Sequence, residues 1–344
     1  MIGVYVHNRG RGHLHRVLPV VAALRDQGEE VTMLVTGPLD DTQRPRGTRV
    51  VHLPAPTGTP APTGYLGPPG ARLPADRPVP GEIPLGARRA AVAWIDRVRP
   101  RTFWVDSSPA MSLAARMTGT PMVSTLPPGA RDDEPHLLRC RAAERLIAAW
   151  PPGVHRETVA RTENLVSEIG GVSRFERRGR EPRARRRPRV VHLNASGTGG
   201  DHRFWRAVRA TTAGLGVADW VELGGPDGEW HEDPWPVLSS ADVVVTGGGQ
   251  ASVADAACVD VPLVVVPGKH EYGEYDATAA ALGAIPGATV MQYGDGPTAV
   301  AHAVCAQVDR SLDGDAAGIR AWWGIDGAAS RAAEVIRSTV TTTR

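Results

Sequence analysis

Short apolar runs alternate with segments of helical periodicity from the first residues of this chain. Ile2 to His7 is an apolar run typical of a buried strand, and His15 to Gln27 carries apolar residues at helical spacing after a turn at Asn8 to Gly12. Glu30 to Thr36 has the composition of a second strand. Strands that alternate with helices form parallel sheets covered on both faces. The sequence therefore predicts an α/β fold.

The length of the chain predicts two such units. It has 344 residues, of which 42% are hydrophobic, and this exceeds what one core usually organises. One series of strand and helix signals fills residues 1–173 and a second fills 190–325, with an Arg-rich linker at 174–189. Residues 326–344 contain a last helix that we expect to pack back on the first domain. A ligand is expected in the cleft between the domains, at the carboxyl ends of strands.

The charge pattern argues against a nucleic-acid partner. The formal net charge is +2, and Lys269 is the single lysine, so the positive charge is almost entirely Arg. These Arg residues are interleaved with acids, and no aromatic-rich basic motif is present. The linker leaves two interpretations open: a solvated tether, or a basic patch that meets anionic lipid headgroups or a phosphate-bearing acceptor.

The cysteines give no sign of a metal site. Cys140, Cys258 and Cys305 are far apart, without a Cys-x-x-Cys pair or His residues at zinc-ligand spacing. Met1 to Val6 has no signal-peptide pattern, and no run approaches the roughly 18 apolar residues of a membrane span. We therefore expect reduced thiols, no structural metal and a cytoplasmic protein, with peripheral contact at the inner face of the membrane as a further expectation.

The segment from Asp242 to Pro267 is the strongest indication of chemistry. An apolar strand ends in three glycines, and the following helix carries Ser252 and Asp255 near its start. Bare glycines permit close approach of a diphosphate, and the helix N-terminus supplies N–H donors and partial positive charge. Asp255 is placed to accept hydrogen bonds from ribose hydroxyls.

With its continuation to Asp276, this segment resembles the nucleotide-binding signature of GT-B glycosyltransferases, both the UDP-glycosyltransferases and the MurG-type N-acetylglucosaminyltransferases. The resemblance implies a GT-B fold, with two Rossmann-like domains whose parallel sheets face a central cleft. In that family an acid seven residues before a proline binds the ribose, as Asp255 precedes Pro262, and a hydroxyl residue three before the acid, here Ser252, helps hold phosphate. Polar residues after the next strand contact the donor sugar, which points to His270, Glu274 and Asp276.

Two positions depart from the family pattern. Many UDP-glycosyltransferases carry a His where this chain has Gly247, and MurG-type enzymes usually carry a Gln pair in place of Glu274 and Tyr275. The resemblance therefore implies a nucleotide diphosphate sugar, UDP-linked or dTDP-linked, as donor and leaves its sugar and base open. The enzyme would be a hexosyl- or N-acetylhexosaminyltransferase.

The turn from Asn8 to Arg16 resembles the family's first Gly-rich loop, in which a His follows the last glycine. A dinucleotide fingerprint is the alternative, but a third glycine is missing. His13 is the candidate general base, since the acceptor hydroxyl needs a base that titrates near neutral pH. Asp106 follows a predicted strand at the place where the family often has the acid that orients this His. Contact of His13 with the donor, and an N-cap role for Asp106, are the alternatives.

A second Gly-rich loop follows the first strand of the second half, as in MurG-type enzymes, and its N–H groups and hydroxyls would complete the diphosphate site. A simple flexible turn is the alternative. The predicted donor-binding residues are Gly12, Ser196, Gly197, Gly199, Gly247, Gly248, Gly249, Gln250, Ser252, Asp255, His270, Glu274 and Asp276.

The resemblance implies an inverting, metal-independent transfer without a cofactor, in which the nucleotide sugar is a co-substrate. The acceptor is unassigned. Pro54 to Pro84, predicted as a long loop, and Leu137 to Trp150, predicted as a helix, stand where such enzymes bind it, and they are apolar enough for a lipid-linked or small aglycone acceptor. Two alternatives remain: a non-hydrolysing UDP-sugar 2-epimerase, and a non-catalytic nucleotide-sugar-binding or partner subunit.

Overall fold

The computed structural model describes residues 1–6, 11–37, 39, 42–54, 85–180, 187–194, 202–216, 219–225, 227–313 and 318–339, and for residue 271 its backbone alone. The strands within these ranges are β1 (Ile2–Val6), β2 (Val31–Val35), β3 (Arg49–His52), β4 (Thr102–Val105), β5 (Met122–Leu126), β6 (Arg145–Ala148), β7 (Val166–Glu168), β8 (Arg189–Leu193), β9 (Asp219–Leu223), β10 (Val243–Thr246), β11 (Leu263–Val265) and β12 (Ala288–Val290). The helices are α1 (Arg11–Asp26), α2 (Leu85–Val98), α3 (Pro109–Met117), α4 (Glu134–Ala142), α5 (Arg156–Ala160), α6 (His202–Gly214), α7 (Trp235–Leu238), α8 (Gln250–Val259), α9 (Glu274–Leu282), α10 (Gly296–Leu312), α11 (Ile319–Trp322) and α12 (Ala328–Ser338).

These strands form two separate parallel sheets. In the described ranges the first sheet has seven strands in the order β3-β2-β1-β4-β5-β6-β7, and the second has five in the order β12-β11-β10-β8-β9. Val4 of β1 lies opposite Met33 and Trp104, and Thr246 of β10 lies opposite Leu193 and Val265. The predicted α/β fold class with two parallel sheets is confirmed. We call the regions around these sheets the first and the second domain.

The strands are apolar because both faces of each sheet are covered by helices. All residues of β1, β2 and β10 are buried, which is the composition expected of parallel strands. One cluster of buried side chains covers each face of each sheet. The cores therefore leave the carboxyl ends of the strands as the place for polar side chains.

Helix α12 returns to the first domain at the end of the chain. Its Ala328, Ala332, Ala333 and Ile336 are fully buried and pack in one cluster with residues of α1 and β1. Small residues on this face let α12 approach α1 closely, and burial of Ile336 contributes roughly 1.5–3 kcal/mol. The last helix thus ties the first domain to the chain that leaves the second.

Two local predictions were wrong. Residues 137–150 were predicted as one helix, but the chain forms α4 and then strand β6, which pairs with β5 and β7. A short apolar run is compatible with a buried strand as well as with a helix, so periodicity did not separate them. Helix α1 starts at Arg11, so Gly12 and His13 lie in its first turn instead of in the preceding loop.

The described part of the Arg-rich linker is held by ion pairs. Arg177 donates to Asp26 of the first domain at 2.8 Å, and Arg178 donates to Asp233 of the second at 2.7 Å. Arg180 donates to the carbonyl of Ala241. These arginines contact both domains.

Among the described residues, no helix combines the length and the apolar character that a membrane crossing requires.

Candidate active site

A pocket lies at the carboxyl ends of β8, β10 and β11 in the second domain. Ligands bind at this edge of parallel sheets because loops and helix N-termini gather there. The pocket is lined by His192, Leu193, Asn194, Trp205, Thr246, Gly247, Gly249, Ser252, Gly268, Tyr275 and Tyr293. Three residues predicted to bind the donor, Gly247, Gly249 and Ser252, thus line one cavity.

Helix α8 begins at this pocket, with Gly249 as its N-cap residue. Glycine has no side chain, so the cap residue itself leaves the first N–H groups of the helix open to another acceptor. These N–H groups and the helix dipole favour an anion. The free N–H groups at the start of α8 can therefore donate hydrogen bonds to a phosphate group.

Tyr275 forms one wall beside the glycines. A Cβ on Gly248 would lie 3.0 Å from the backbone oxygen of Tyr275, and one on Gly249 would lie 3.3 Å from its hydroxyl oxygen. Gly248 also has φ +87°, which other residues rarely adopt. The imidazole of His270 stacks on the Tyr275 ring, with centroids 4.3 Å apart. The aromatic wall thus depends on the absence of side chains at 248 and 249.

Two buried polar atoms of the pocket wall have no hydrogen-bond partner among the described residues. They are Thr246 Oγ1 and His192 Nδ1, and both side chains are at most 2% exposed. Burial, and secondly the charge of Arg209, lowers the pKa of His192 to about 3, so its ring is neutral. Buried polar atoms are normally bonded, and His192 Nδ1 lies 3.9 Å from Glu222 Oε1, beyond hydrogen-bond distance.

His13 and Asp106 form a close pair in the first domain. His13 lies in the first turn of α1, Asp106 follows β4, and His13 Nδ1 is 2.7 Å from Asp106 Oδ2. A carboxylate at this distance requires a donor, so Nδ1 carries the hydrogen and Nε2 is the nitrogen that can accept a proton. The side chain of His13 is 31% exposed while that of Asp106 is fully buried. This is the geometry of an oriented general base.

Arg16 completes the surroundings of Asp106. Its Nη2 and Nε lie 2.7 and 3.2 Å from Asp106 Oδ1. Burial raises the pKa of the Asp106 carboxyl, but the charges of Arg16 and His13 and their hydrogen bonds outweigh burial and hold the pKa well below its ordinary value. Asp106 is therefore an anion at neutral pH, with both oxygens bonded.

The same arginine reaches the second domain. Arg16 Nη1 donates to Gln250 Oε1 at 3.1 Å, and Gln250 Nε2 donates to the carbonyl of Ala149 at 3.5 Å. A Cβ on Gly12 would lie 3.8 Å from that of Ala251. The start of α1 thus packs against the start of α8. The pair of His13 and Asp106 is thus joined to the helix whose start lines the pocket.

Asp255 lies apart from the pocket, in the second turn of α8. It is 4% exposed, its Oδ1 accepts from Ser173 Oγ at 2.6 Å, and its Oδ2 lies 3.4 Å from Arg174 Nε. Burial raises the pKa of Asp255, and the Arg174 charge and these hydrogen bonds offset only part of that rise. Asp255, which the sequence predicts to bind the ribose, is thus bonded in this structure to Ser173 and Arg174, where the first domain meets the linker.

His270, Glu274 and Asp276, which were predicted to contact the donor sugar, do not line the pocket themselves. His270 stacks on Tyr275 of the pocket wall, and its Nδ1 lies 4.0 Å from Glu274 Oε2. Glu274 accepts from Arg131 Nη2 at 2.9 Å, and Arg131 also lies over the ring of Tyr272. His270 and Asp276 are exposed. Glu274 therefore joins the two domains at a second point.

Among the described residues, no group of three His, Cys, Asp or Glu side chains is arranged to hold a metal ion.

Solved structures of glycosyltransferases superpose on nearly the whole chain. MurG of Acinetobacter baumannii matches with 16% identity and a TM-score of 0.65, covering 98% of this chain and 99% of that one. The glycotransferase of kitacinnamycin matches with 18% identity and a TM-score of 0.65, covering 99% and 98%. Arabidopsis thaliana UGT89C1 matches with 15% identity and a TM-score of 0.68, covering 98% of both chains.

The chain has the GT-B fold. No protein-family model matches the sequence. No curated protein is significantly similar to it.

Within the GT-B fold, the predicted site residues divide into three groups. Gly12, His13, Asp106 and Gln250 meet at the contact between the domains, and Gly247, Gly248, Gly249 and Ser252 lie at or beside the pocket. His270 stacks on Tyr275 beside the pocket, and Asp255, Glu274 and Asp276 lie elsewhere, as described above. Ser196, Gly197 and Gly199 are outside the described residues, as are most of the turn before α1 and the loop predicted at Pro54 to Pro84.

Sequence reasoning gave no role to several residues of this GT-B cleft. Arg16 was detectable, because it follows His13 by three residues and such spacing places both on one helix face. His192 and Tyr275 were detectable only as polar or aromatic residues near strand ends. Ser173 and Arg174 gave no signal, because their partner Asp255 is more than 80 residues away in the sequence.

Proposed function

We propose that the protein is an inverting glycosyltransferase. It moves a sugar from a nucleotide diphosphate sugar, UDP-linked or dTDP-linked, to an acceptor hydroxyl. The observation that carries the proposal is the 2.7 Å contact between His13 Nδ1 and Asp106 Oδ2, beside the start of α8. The GT-B fold, which glycosyltransferases such as MurG also have, supports it.

The chemistry follows from these groups. Nε2 of His13 takes the proton of the acceptor hydroxyl as its oxygen bonds to the anomeric carbon, and the bond from that carbon to the diphosphate breaks on the opposite face. Asp106 stabilises the imidazolium that forms. The nucleoside diphosphate leaves with the bonding electrons, and its charge is stabilised by the N–H groups at the start of α8 and by Ser252. No metal takes part in this scheme, so transfer is expected to persist in EDTA.

The acceptor is proposed to be a small aglycone or a lipid-linked molecule. Solved neighbours of the same fold were crystallised with quercetin and with 3,4-dichloroaniline. These small aromatic compounds are the first acceptor probes. A cytoplasmic protein with peripheral membrane contact remains part of the proposal.

The first test is nucleotide binding followed by turnover. Thermal shift with UDP, dTDP, GDP, ADP and NAD should show stabilisation by UDP or dTDP, because a ligand at about 100 times its Kd adds about 2.7 kcal/mol to the native state. Release of UDP or dTDP from the matching sugar donor, with quercetin as acceptor, should then fall at least 100-fold in His13→Ala. The control is His302→Ala, which removes an exposed histidine of α10. Stabilisation by NAD alone, or by no nucleotide, would contradict the proposal.

A further inference from the structure

Arg16 lies on α1 three residues after His13 and is 7% exposed. A buried guanidinium is stable where its donors meet acceptors in a fixed geometry. Arg16 has two such acceptors, one in each domain: Asp106 Oδ1 and Gln250 Oε1. It is therefore a connection between the first domain's carboxylate and the first residue of α8.

The bonds of Arg16 fix the orientation of Asp106. Nε and Nη2 both reach Oδ1, while His13 Nδ1 reaches Oδ2. Nη2 also lies 3.2 Å from His13 Nδ1, and because both nitrogens are donors when Nδ1 is bonded to Asp106, this contact is one of packing. With Oδ1 held by two donors, the carboxylate plane cannot rotate without loss of an Arg16 bond. Oδ2 then stays where it accepts from His13, and this determines the tautomer and the direction of the His13 ring.

The third nitrogen of the guanidinium makes this orientation depend on the second domain. Nη1 lies 3.1 Å from Gln250 Oε1, and Gln250 is in turn held by the carbonyl of Ala149. Gln250 directly follows the glycines that line the pocket. A lysine at position 16 would keep the charge but could not span Asp106 and Gln250 with a rigid fork.

We propose that Arg16 is a positioning residue for the pair of His13 and Asp106, and that its bond to Gln250 aligns this pair only when the two domains are in contact. The proposal rests on the proposed function for its catalytic meaning. When the two domains are in contact, Arg16 is bonded to Gln250 and the His13 ring has the orientation of a general base. When the domains separate, this bond is lost and the orientation is no longer fixed.

The test uses the full-length chain with Arg16→Lys and Gln250→Leu. Arg16→Lys keeps the buried charge that compensates Asp106. Gln250→Leu keeps Asp106 as the counter-charge of Arg16 but removes the acceptor that fixes Nη1 and with it the plane of the guanidinium. Both variants should therefore fold. The matched control is Gln43→Leu. Gln43 also donates across the domains, to Glu232 at 2.7 Å, but does not touch the pair.

The first readout needs no turnover. In protein labelled with ¹⁵N-histidine, with the His13 signal assigned from His13→Asn, we expect the Nδ1–H tautomer in the wild type and in Gln43→Leu. Both test variants should shift His13 toward the Nε2–H tautomer while the other histidine signals stay in place. An unchanged His13 tautomer in Arg16→Lys and Gln250→Leu would overturn the proposal.

The second readout is turnover with UDP-glucose or dTDP-glucose, whichever nucleotide binds, and quercetin. We expect kcat to fall roughly 10- to 100-fold in Arg16→Lys and less in Gln250→Leu, since general base catalysis as a whole contributes roughly 10²–10⁴-fold. In Arg16→Lys, KM for the donor should stay within about twofold. A purely structural role would lower the amount of active enzyme without changing the His13 signal.

The two proposals fail separately. A tautomer that depends on Arg16 in a protein that transfers no sugar would contradict the glycosyltransferase function and leave the positioning role intact. Turnover that falls in His13→Ala but stays within twofold in Arg16→Lys would overturn the positioning role and leave the function.

Discussion

Asp106 and Asp255 are both buried carboxylates near the contact between the domains, yet their pKa values move in opposite directions. Burial opposes the charged form of both. At Asp106 the charges and hydrogen bonds of Arg16 and His13 outweigh burial, whereas Asp255 has a hydroxyl donor and a single guanidinium contact at 3.4 Å. The partners, and not the extent of burial, decide which carboxylate is a firm anion.

This difference in pKa suits the two carboxylates to different roles. A general base needs a permanent anion behind it, because the imidazolium it forms must be stabilised at once. Asp106 meets this condition. Asp255 is costly to ionise where it lies, which suits a group that exchanges its present hydrogen bond for one from a ligand.

The largest expected effect is on catalysis. Asp106→Asn should lower kcat for sugar transfer roughly 10²–10⁴-fold, because the amide can donate to His13 Nδ1 and so favour the wrong tautomer. Asp255→Asn, an equally small change in the other carboxylate, should lower kcat less than about tenfold. Steady-state kinetics with a saturating donor measures both. Equal losses in the two variants would contradict the assignment of Asp106, and not Asp255, as the carboxylate that supports the base.

The second effect is on the free energy of unfolding at pH 7. Asp106→Asn leaves the Arg16 charge buried without its counter-charge and should cost about 3–5 kcal/mol. Asp255→Asn removes a carboxylate whose ionised form is disfavoured and keeps an oxygen that accepts from Ser173. Its cost should be within about 1 kcal/mol of zero. Urea unfolding measures both values, and a larger loss in Asp255→Asn would contradict the comparison.

The parts of this molecule that the sequence predicted are those with local signals. Strands such as β1 and β10 are unbroken apolar runs, and the glycines before α8 mark a ligand-binding turn without any knowledge of the rest of the chain. Strands β3 and β12 escaped notice because they are short and only partly buried. Their place in the sheets comes from pairing with neighbours, and single-sequence patterns do not record pairing.

The candidate site was predictable to the same extent. His13 and Asp106 were paired through the family resemblance, from a His after a Gly-rich loop and an acid after a predicted strand. The contact between their atoms follows from the parallel pairing of β1 with β4. The bond of Arg16 to Gln250 joins residues 234 positions apart. It depends on how the two domains meet, for which a linear sequence carries no local signal. The engagement of Asp255 with Ser173 is hidden for the same reason.

A third prediction compares Asp106 with His192, a buried group whose pKa is shifted by burial and by the like charge of Arg209. The pKa of His192 is lowered to about 3 from an ordinary value of 6.5, so its stabilising contribution is complete above pH 6.5 and is lost as the pH falls toward 3. At pH 5 the loss is about 2 kcal/mol. Asp106, with a lowered pKa, loses its contribution only below its unfolded value of 3.8.

Between pH 6.5 and 4 the free energy of unfolding therefore changes through His192 and not through Asp106. The drop in unfolding free energy from pH 7.5 to pH 5.0 should be about 2 kcal/mol smaller in His192→Phe than in the wild type. His15→Phe is the matched comparison, since burial, with the charges of Arg174 and Arg11, lowers the pKa of His15 to about 3 as well. Asp255 has the opposite effect on the free energy of unfolding. Because its pKa is raised in the folded protein, Asp255 adds stability as the pH falls through that folded pKa. An unchanged drop in both histidine variants would show that these rings are protonated in the folded protein.

The smallest effect tests whether Asp255 exchanges partners. The sequence predicts that Asp255 accepts from the ribose of the donor, and in this structure Ser173 holds one of its oxygens at 2.6 Å. Removal of that competitor in Ser173→Ala should therefore tighten UDP or dTDP binding about fivefold, the equivalent of a hydrogen bond worth about 1 kcal/mol. The unliganded protein should lose about 1 kcal/mol of stability at pH 7, with a smaller loss at low pH where Asp255 is protonated. Calorimetry with Ser173→Ala and with Asp255→Ala gives the answer, since exchange requires tighter binding in the first and weaker binding in the second. Equal affinity in all three proteins would assign Asp255 to the linker alone, and the contrast with Asp106 would then be one between a catalytic carboxylate and a structural one.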